Sequence, residues 1–117
     1  MLWRPEPDFL LMPALPLKEI QALFDKIQNL TVSETGARQL EELAREAIRV
    51  LESMEDKGDD LLKIRTKASK RGLEADVLNY LQKYWQTGDK VSRTGRFIQA
   101  RSQATHLLQQ VIHTARK

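Results

Sequence analysis

The spacing of hydrophobic residues is helical from residue 17 onward. Apolar side chains recur every three or four positions, as one buried face of a helix requires, and Pro16 suits the start of the first helix. That face is Leu17, Ile20, Leu23, Phe24, Ile27 and Leu30. A second helix is predicted from a capping box formed by Thr31 and Glu34 to about residue 56, with a stripe of Leu40, Leu43, Ala44, Ala47, Leu51 and Met54. No stretch alternates with the period of two typical of a strand. The pattern therefore predicts an all-α fold.

Three glycines mark the predicted limits of three further helices. Gly58 is expected to end the second helix in a left-handed conformation, Gly72 to break the chain between helices over residues 60–71 and 73–86, and Gly88 to precede a last helix over residues 91–115. The inward positions are predicted to be Leu61, Ile64 and Ala68; then Leu73, Val77, Leu78, Leu81 and Trp85, flanked by Tyr80 and Tyr84; then Ala104, Leu107, Leu108, Val111, Ile112 and Ala115. Residues 17–117 are thus predicted to form a single compact bundle of about five helices.

Residues 1–16 differ in composition from the rest of the chain. They contain all four prolines, each of which lacks an amide donor and disfavours helical geometry at the residue before it. The segment is therefore predicted to be an extended arm. Its large apolar side chains are the candidate docking residues, and they could pack on the chain's own bundle or on a partner subunit: Trp3, Phe9, Leu10 and Leu11.

Charge divides the sequence into two halves. Residues 1–56 have a net charge of −5 and residues 57–117 a net charge of +8, which together give the chain's +3. An asymmetry of this kind indicates a polyanionic partner, with nucleic acid the leading choice. The alternative is that the two halves neutralise each other across the fold.

Two clusters of cations are the candidate nucleic-acid contacts. In the third helix a stripe with about 5–6 Å between ammonium groups matches phosphate spacing, although an ordinary solvated face would have the same pattern. The second cluster begins the last helix, beside Tyr84 and Trp85, and suits phosphate contact with occasional base stacking. The clusters are Lys63, Lys67, Lys70 and Arg71, and Lys90, Arg93, Arg96 and Arg101. Because Glu74, Asp76 and Tyr80 occupy the positions where a recognition helix needs base-reading donors, contacts to the backbone without sequence readout are expected.

The second cluster has an unusual position relative to the core. Arg93 and Arg101 lie in line with the apolar stripe of the last helix, where an unpaired charge would be costly to bury. Two solutions are open: the helix starts near Thr94 and Gly95, or its first turns project past the bundle.

Several kinds of chemistry have no counterpart in the sequence. The absence of cysteine excludes disulfides and thiolate zinc sites. His106 and His113 are about 10 Å apart by helical rise, too far to share a metal ion, and no glycine-rich phosphate loop occurs. The longest apolar run has four residues, against the roughly 20 that span a membrane. We therefore expect a cytoplasmic, non-enzymatic protein without metal or cofactor.

In its helical make-up, its length and its two basic clusters, the chain resembles the small subunit of Cascade-type CRISPR effector complexes. The proline-broken opening Trp3-Arg4-Pro5-Glu6-Pro7 adds to this resemblance, since such subunits are in several systems translated from within a larger gene. The resemblance implies an antiviral accessory subunit present in several copies along a larger ribonucleoprotein, touching RNA or DNA through phosphates. The second hypothesis is a helical adaptor, chaperone or regulator without nucleic-acid contact.

Overall fold

The computed structural model describes residues 16–55 and 57–116, and residues 1–15 of the predicted arm, with its docking residues, lie outside this range. Every regular element in the described part is helical, which confirms the all-α class. The elements are α1 (Leu17–Gln28), α2 (Glu34–Met54), α3 (Asp60–Gly72), a π-helical turn (Leu73–Val77), α4 (Leu78–Gln86) and α5 (Lys90–Ala115). None of the described helices has the length and apolarity to cross a membrane.

The helices surround one core, with α5 in contact with all the others. Both α1 and α3 pack against α2 and α5 but do not touch each other, so they occupy diagonal corners of a four-cornered bundle. Fully buried side chains come from every corner: Ile20, Leu40, Leu73, Leu81, Phe97 and Leu108. The buried face predicted for α5 is confirmed, apart from the half-buried Ala115.

The start of α2 differs from the predicted capping box. Ser33, not Thr31, is the N-cap residue, and its hydroxyl accepts a hydrogen bond from the Gly36 amide at 3.0 Å. The Thr31 carbonyl folds back so closely that a Cβ on Gly36 would lie 1.9 Å from its oxygen. Because the chain turns at Thr31 in this way, α2 begins only after the turn, and Ser33 is the residue placed to cap it.

The turn before α3 does not use a left-handed glycine. No described glycine has a positive φ, so the conformation predicted for Gly58 is wrong. Instead, a Cβ on Gly58 would lie 2.4 Å from the Leu62 side chain, so glycine leaves room for Leu62 to fold over the turn. Asp59 then caps α3 by accepting from the Leu62 amide at 2.8 Å.

Gly72 does not break the chain as predicted. α3, the π-helical turn and α4 follow one another without an interruption from Asp60 to Gln86. A Cβ on Gly72 would lie 2.8 Å from Leu107 Cδ1 of α5. The glycine therefore permits close packing between two helices, and the helical hydrogen bonding continues through it.

The prediction that Leu61, Ile64 and Ala68 face inward is also wrong. Leu61 and Ile64 are 55% and 67% exposed, and Ala68 is exposed too. The buried face of α3 consists of Leu62, Thr66 and Ser69. These small hydroxyl side chains let α5 approach, and the Ser69 hydroxyl donates to the Leu107 carbonyl at 3.1 Å. The exposed residues Leu61, Ile64 and Ala68 are called the α3 apolar stripe below.

Two aromatic residues of α4 also differ from the prediction. Tyr84, predicted to flank the core, is buried, whereas Trp85, predicted to face it, is half-buried. Tyr84 packs edge-on against Phe97 with 6.4 Å between ring centroids. The side chains at Val77, Leu81 and Tyr84 continue the inward face at four- and three-residue spacing, which leaves Trp85 at its margin.

Candidate nucleic-acid interface

The two predicted cation clusters lie on one helical hairpin. The long helix α3–α4 runs antiparallel to α5, since Ser69 contacts Leu107 while Tyr84, further along, contacts Phe97. The α3 cluster is therefore level with the second half of α5, and the α5 cluster is near the turn of the hairpin. Between them Gln103 donates to Asp76 at 3.4 Å. The clusters are thus separate, with a carboxylate between them.

Three cations of the first cluster form a row along α3. Lys67 and Arg71 are exposed and Lys63 is half-buried. Among the described residues no carboxylate lies within 4 Å of any of these three cations. Because they are four residues apart, they follow one another along the helix at about 6 Å. Lys63, Lys67 and Arg71 are called the α3 cation row below.

Lys70, the fourth member of the cluster, is paired within the fold. Its Nζ lies 2.8 Å from Glu55 Oε1, just beyond the end of α2. The hydrogen bond from Lys70 is the main cause that lowers the pKa of Glu55 below its ordinary value of 4.5. The same bond raises the pKa of Lys70 above 10.5. Lys70 therefore joins α2 to α3 and is not available as a phosphate contact without losing this pair.

This ion pair makes the stability of the fold depend on pH. A carboxylate with a lowered pKa stabilises the folded state above its ordinary value of 4.5, and the stabilisation is lost as pH falls through the lowered pKa. Replacing Glu55 by Gln should therefore reduce the fall in Tm between pH 6 and pH 3, measured by circular dichroism. Glu46→Gln on the exposed face of α2 is the matched control. An identical pH profile for Glu55→Gln and the native chain would contradict the assignment.

The start of α5 decides between the two solutions predicted for the second cluster. The helix begins at Lys90 and runs unbroken through Thr94 and Gly95, so the later start is wrong. Asp89 caps it, accepting from the Ser92 amide and hydroxyl, both at 2.9 Å. These hydrogen bonds lower the pKa of Asp89 below its ordinary value of 3.8. The first turn is exposed, but the cations in line with the core turn back onto the protein.

Arg93 is held by three groups of the fold. Its Nε donates to the Thr87 carbonyl, and its Nη1 lies 3.4 Å from Glu34 Oε1. The guanidinium also lies over the Tyr84 ring, 5.8 Å from the centroid. Arg93 thereby ties the start of α5 to the start of α2, and its Nε and Nη1 are engaged within the protein.

Arg101 closes the end of α1. Its Nη1 donates to the Leu30 carbonyl at 2.8 Å, and its guanidinium lies over the Phe97 ring, 5.5 Å from the centroid. Leu30 lies two residues beyond Gln28, the last residue of α1, so this hydrogen bond ties α5 to the loop that follows α1. Of the predicted α5 cluster, Lys90 and Arg96 have no ion-pair partner in the described part of the chain.

A groove beside Trp85 was missed by the sequence-based predictions. It lies between α2 and the α3–α4 helix, has a volume of about 570 Å³, and is lined by Glu41, Glu74 and Trp85 among others. Glu41 and Trp85 also line an adjoining cavity of about 320 Å³, where Arg38 lies 5.6 Å from the centroid of the Trp85 ring. In the sequence, the one sign of this groove was Trp85, a large aromatic residue directly after Tyr84, which faces the core.

The described residues contain no group of three or more potential metal ligands. His106 and His113 are both exposed, and His106 Nε2 lies 3.0 Å from the Gln110 amide nitrogen. Comparison with known proteins gives no relative: no family model, curated protein or solved structure matches this chain.

Proposed function

We propose that this chain is a non-enzymatic nucleic-acid-binding subunit of a larger ribonucleoprotein, which holds RNA or DNA by its phosphates. The observation that supports this function best is the α3 cation row, whose three charges are spaced like phosphates and are unpaired among the described residues. Lys90 and Arg96 form a smaller second contact near the turn of the hairpin. The proposal includes a cytoplasmic location.

Contact to the backbone, without reading of bases, follows from the shape of the cation row. Its side chains project from the outer surface of a bundle helix whose inward face is fixed by packing. The neighbouring exposed residues Ile64 and Ala68 offer no hydrogen bonds to base edges. The ammonium groups of lysines and the guanidinium of an arginine, on long flexible stems, can contact phosphates of any sequence. We therefore propose binding that is sequence-tolerant and sensitive to salt.

The decisive experiment measures binding across a salt series. Fluorescence anisotropy with labelled single-stranded and duplex DNA and RNA, from 50 to 200 mM salt, gives the slope of log affinity against log salt. Each phosphate contact contributes roughly 0.7 to 0.9 to that slope. The triple variant Lys63→Gln, Lys67→Gln, Arg71→Gln should bind at least about tenfold more weakly at low salt, with a slope smaller by about 2 to 3.

The matched control removes the same number of charges elsewhere. Lys18→Gln, Lys26→Gln, Arg49→Gln changes three exposed cations of α1 and α2 and should preserve the slope. Equal losses in the two triple variants would show that net charge alone governs binding, and the α3 cation row would then not be the interface. No binding at low salt, either by the chain alone or within its native complex, would reject the function.

The assembly we propose is an effector complex of the Cascade type. Weak phosphate contacts on a small subunit become effective when several copies lie along one nucleic acid, because each bound copy raises the local concentration of the next contact. The row of three cations is short, which suits such a repeated arrangement.

A second function is favoured by the groove at Trp85. A half-buried tryptophan lies in a groove lined by Glu41, Glu42 and Glu74 and also by Arg38 and Arg45. This mixed lining suits a partner segment with an apolar side chain flanked by polar groups, since aromatic anchors are common in protein interfaces. In that case the chain is a helical adaptor, chaperone or regulator. Absence of nucleic-acid binding at low salt would favour this function over the first.

A further inference from the structure

The α3 apolar stripe is an exposed surface that no described residue covers. Leu61 and Ile64 are 55% and 67% exposed, and with Ala68 they extend over about 10 Å of helix. Isolated apolar residues on a surface are ordinary, but adjacent ones on a single helix face favour an interaction. Its neighbours Lys67 and Arg71 are exposed cations three residues further along.

Residues 1–15 join the bundle at the same end as this stripe. α1 runs antiparallel to α5, since Leu30 contacts Arg101 at 2.8 Å and Gln21 contacts Arg116 at 3.5 Å. The first turn of α1 is therefore level with the C-terminal end of α5. α3 also begins there, because Arg65 donates to Gln110 at 3.1 Å and Leu61 lies one turn closer to that end.

The length of the arm is sufficient to reach the stripe. α1 and α3 are diagonal neighbours, so the path around the end of the bundle is about 20 Å for helices packed 8–10 Å apart. Fifteen residues span at most about 50 Å when extended. The arm can therefore cross to α3 and still lay several residues along the stripe.

The composition of the arm matches the surface in two ways. It contains the apolar side chains Trp3, Phe9, Leu10 and Leu11. Its charged residues are Arg4, Glu6 and Asp8, a net charge of −1, whereas the stripe is bordered by cations. Apolar residues can thus cover Leu61 and Ile64 at the start of α3, and the arm's net negative charge favours its approach to this cationic helix.

We propose that residues 1–15 dock in cis on the α3 apolar stripe. The occupant is this chain's own arm because it starts at the same end of the bundle, has the required length and carries the opposite charge. Covering Leu61 and Ile64 removes apolar surface from water, which is the driving force for the contact.

Disulfide trapping tests this contact cleanly because the chain has no cysteine. Pro7→Cys places a thiol between the apolar groups of the arm, and Leu61→Cys places one on the stripe. Under mild oxidation with glutathione disulfide, this pair should form an intramolecular disulfide on the order of tenfold faster than a control pair. Non-reducing electrophoresis and intact mass distinguish the intramolecular product from a dimer.

The control pair is Pro7→Cys with Glu52→Cys. Glu52 is exposed near the end of α2 that precedes α3, so a freely moving arm reaches it as easily as Leu61. Adding Phe9→Asp and Leu10→Asp to the test pair should abolish its advantage. Equal rates for both pairs, or disulfide-linked dimers as the main product, would overturn the proposal, and dimers would assign the stripe to a second copy.

Discussion

Replacing Gly36 by alanine is expected to destabilise the fold by about 3 kcal/mol, because overpacking against a rigid neighbour has effects of this size. The new Cβ would lie 1.9 Å from the Thr31 carbonyl oxygen and 3.1 Å from its carbon. Backbone atoms cannot move aside like the end of a side chain, so the turn between α1 and α2 must open. Urea denaturation followed by circular dichroism measures the loss, which corresponds to roughly 15 °C in Tm for a domain of this size.

Gly95→Ala is the matched control and should have the opposite effect. Gly95 lies inside α5, and a Cβ there has no atom within 4 Å. Alanine is favoured over glycine inside a helix by roughly 0.5–1 kcal/mol, so stability should rise by about that amount. If both alanine variants changed stability equally, the close approach of the Thr31 carbonyl to Gly36 would not be a feature of the folded protein.

Replacing Arg101 by alanine is expected to destabilise the fold by about 2–3 kcal/mol. The variant loses a charge-assisted hydrogen bond to the Leu30 carbonyl, which is worth roughly 1.5–3 kcal/mol, and a cation–π contact with Phe97, worth roughly 0.5–1 kcal/mol at an exposed site. It also releases the loop that follows α1 from α5. Urea denaturation of the purified variant gives the difference directly.

Arg96→Ala is the control for this second prediction. Arg96 belongs to the same predicted cluster and lies five residues earlier in α5, yet among the described residues its side chain has neither a hydrogen bond nor a cation–π contact like those of Arg101. Its removal should change stability by less than about 0.5 kcal/mol. A stable Arg101→Ala protein would show that the guanidinium does not close α1 and would return Arg101 to the candidate phosphate contacts.

The sequence determined the helices better than it determined their orientation. Pro16 precedes α1 as predicted, and the spacing of apolar residues in α5 placed its buried face. Such periodicity is local, because each helix must turn its apolar stripe away from water. The two basic clusters were also visible, but the sequence could not show which of their members are paired. Lys70 meets Glu55 only because α2 and α3 lie side by side.

The α3 apolar stripe shows why local pattern failed. Leu61, Ile64 and Ala68 are more apolar than the adjacent face of Leu62, Thr66 and Ser69, so a separate short helix would bury the former. The helix is not separate, however, since it continues through Gly72 to Gln86. Its later part has a strongly apolar inward face at Leu73, Val77, Leu81 and Tyr84. Because the helical chain is continuous, burial of that face also sets which side of α3 points to the core.

By itself the sequence determined the all-α class, the approximate limits of the helices and the excess of cations in the second half. Only the tertiary structure decided which cations face solvent. Arg93 pairs with Glu34 of α2 and Arg101 donates to the Leu30 carbonyl that follows α1, contacts between residues distant in the chain. Lys63, Lys67 and Arg71 remain outward because the apolar half of their helix fixes its rotation. The physical reason is the same in both cases: burial of the common core sets the orientation of each helix, and charged side chains take the positions that remain.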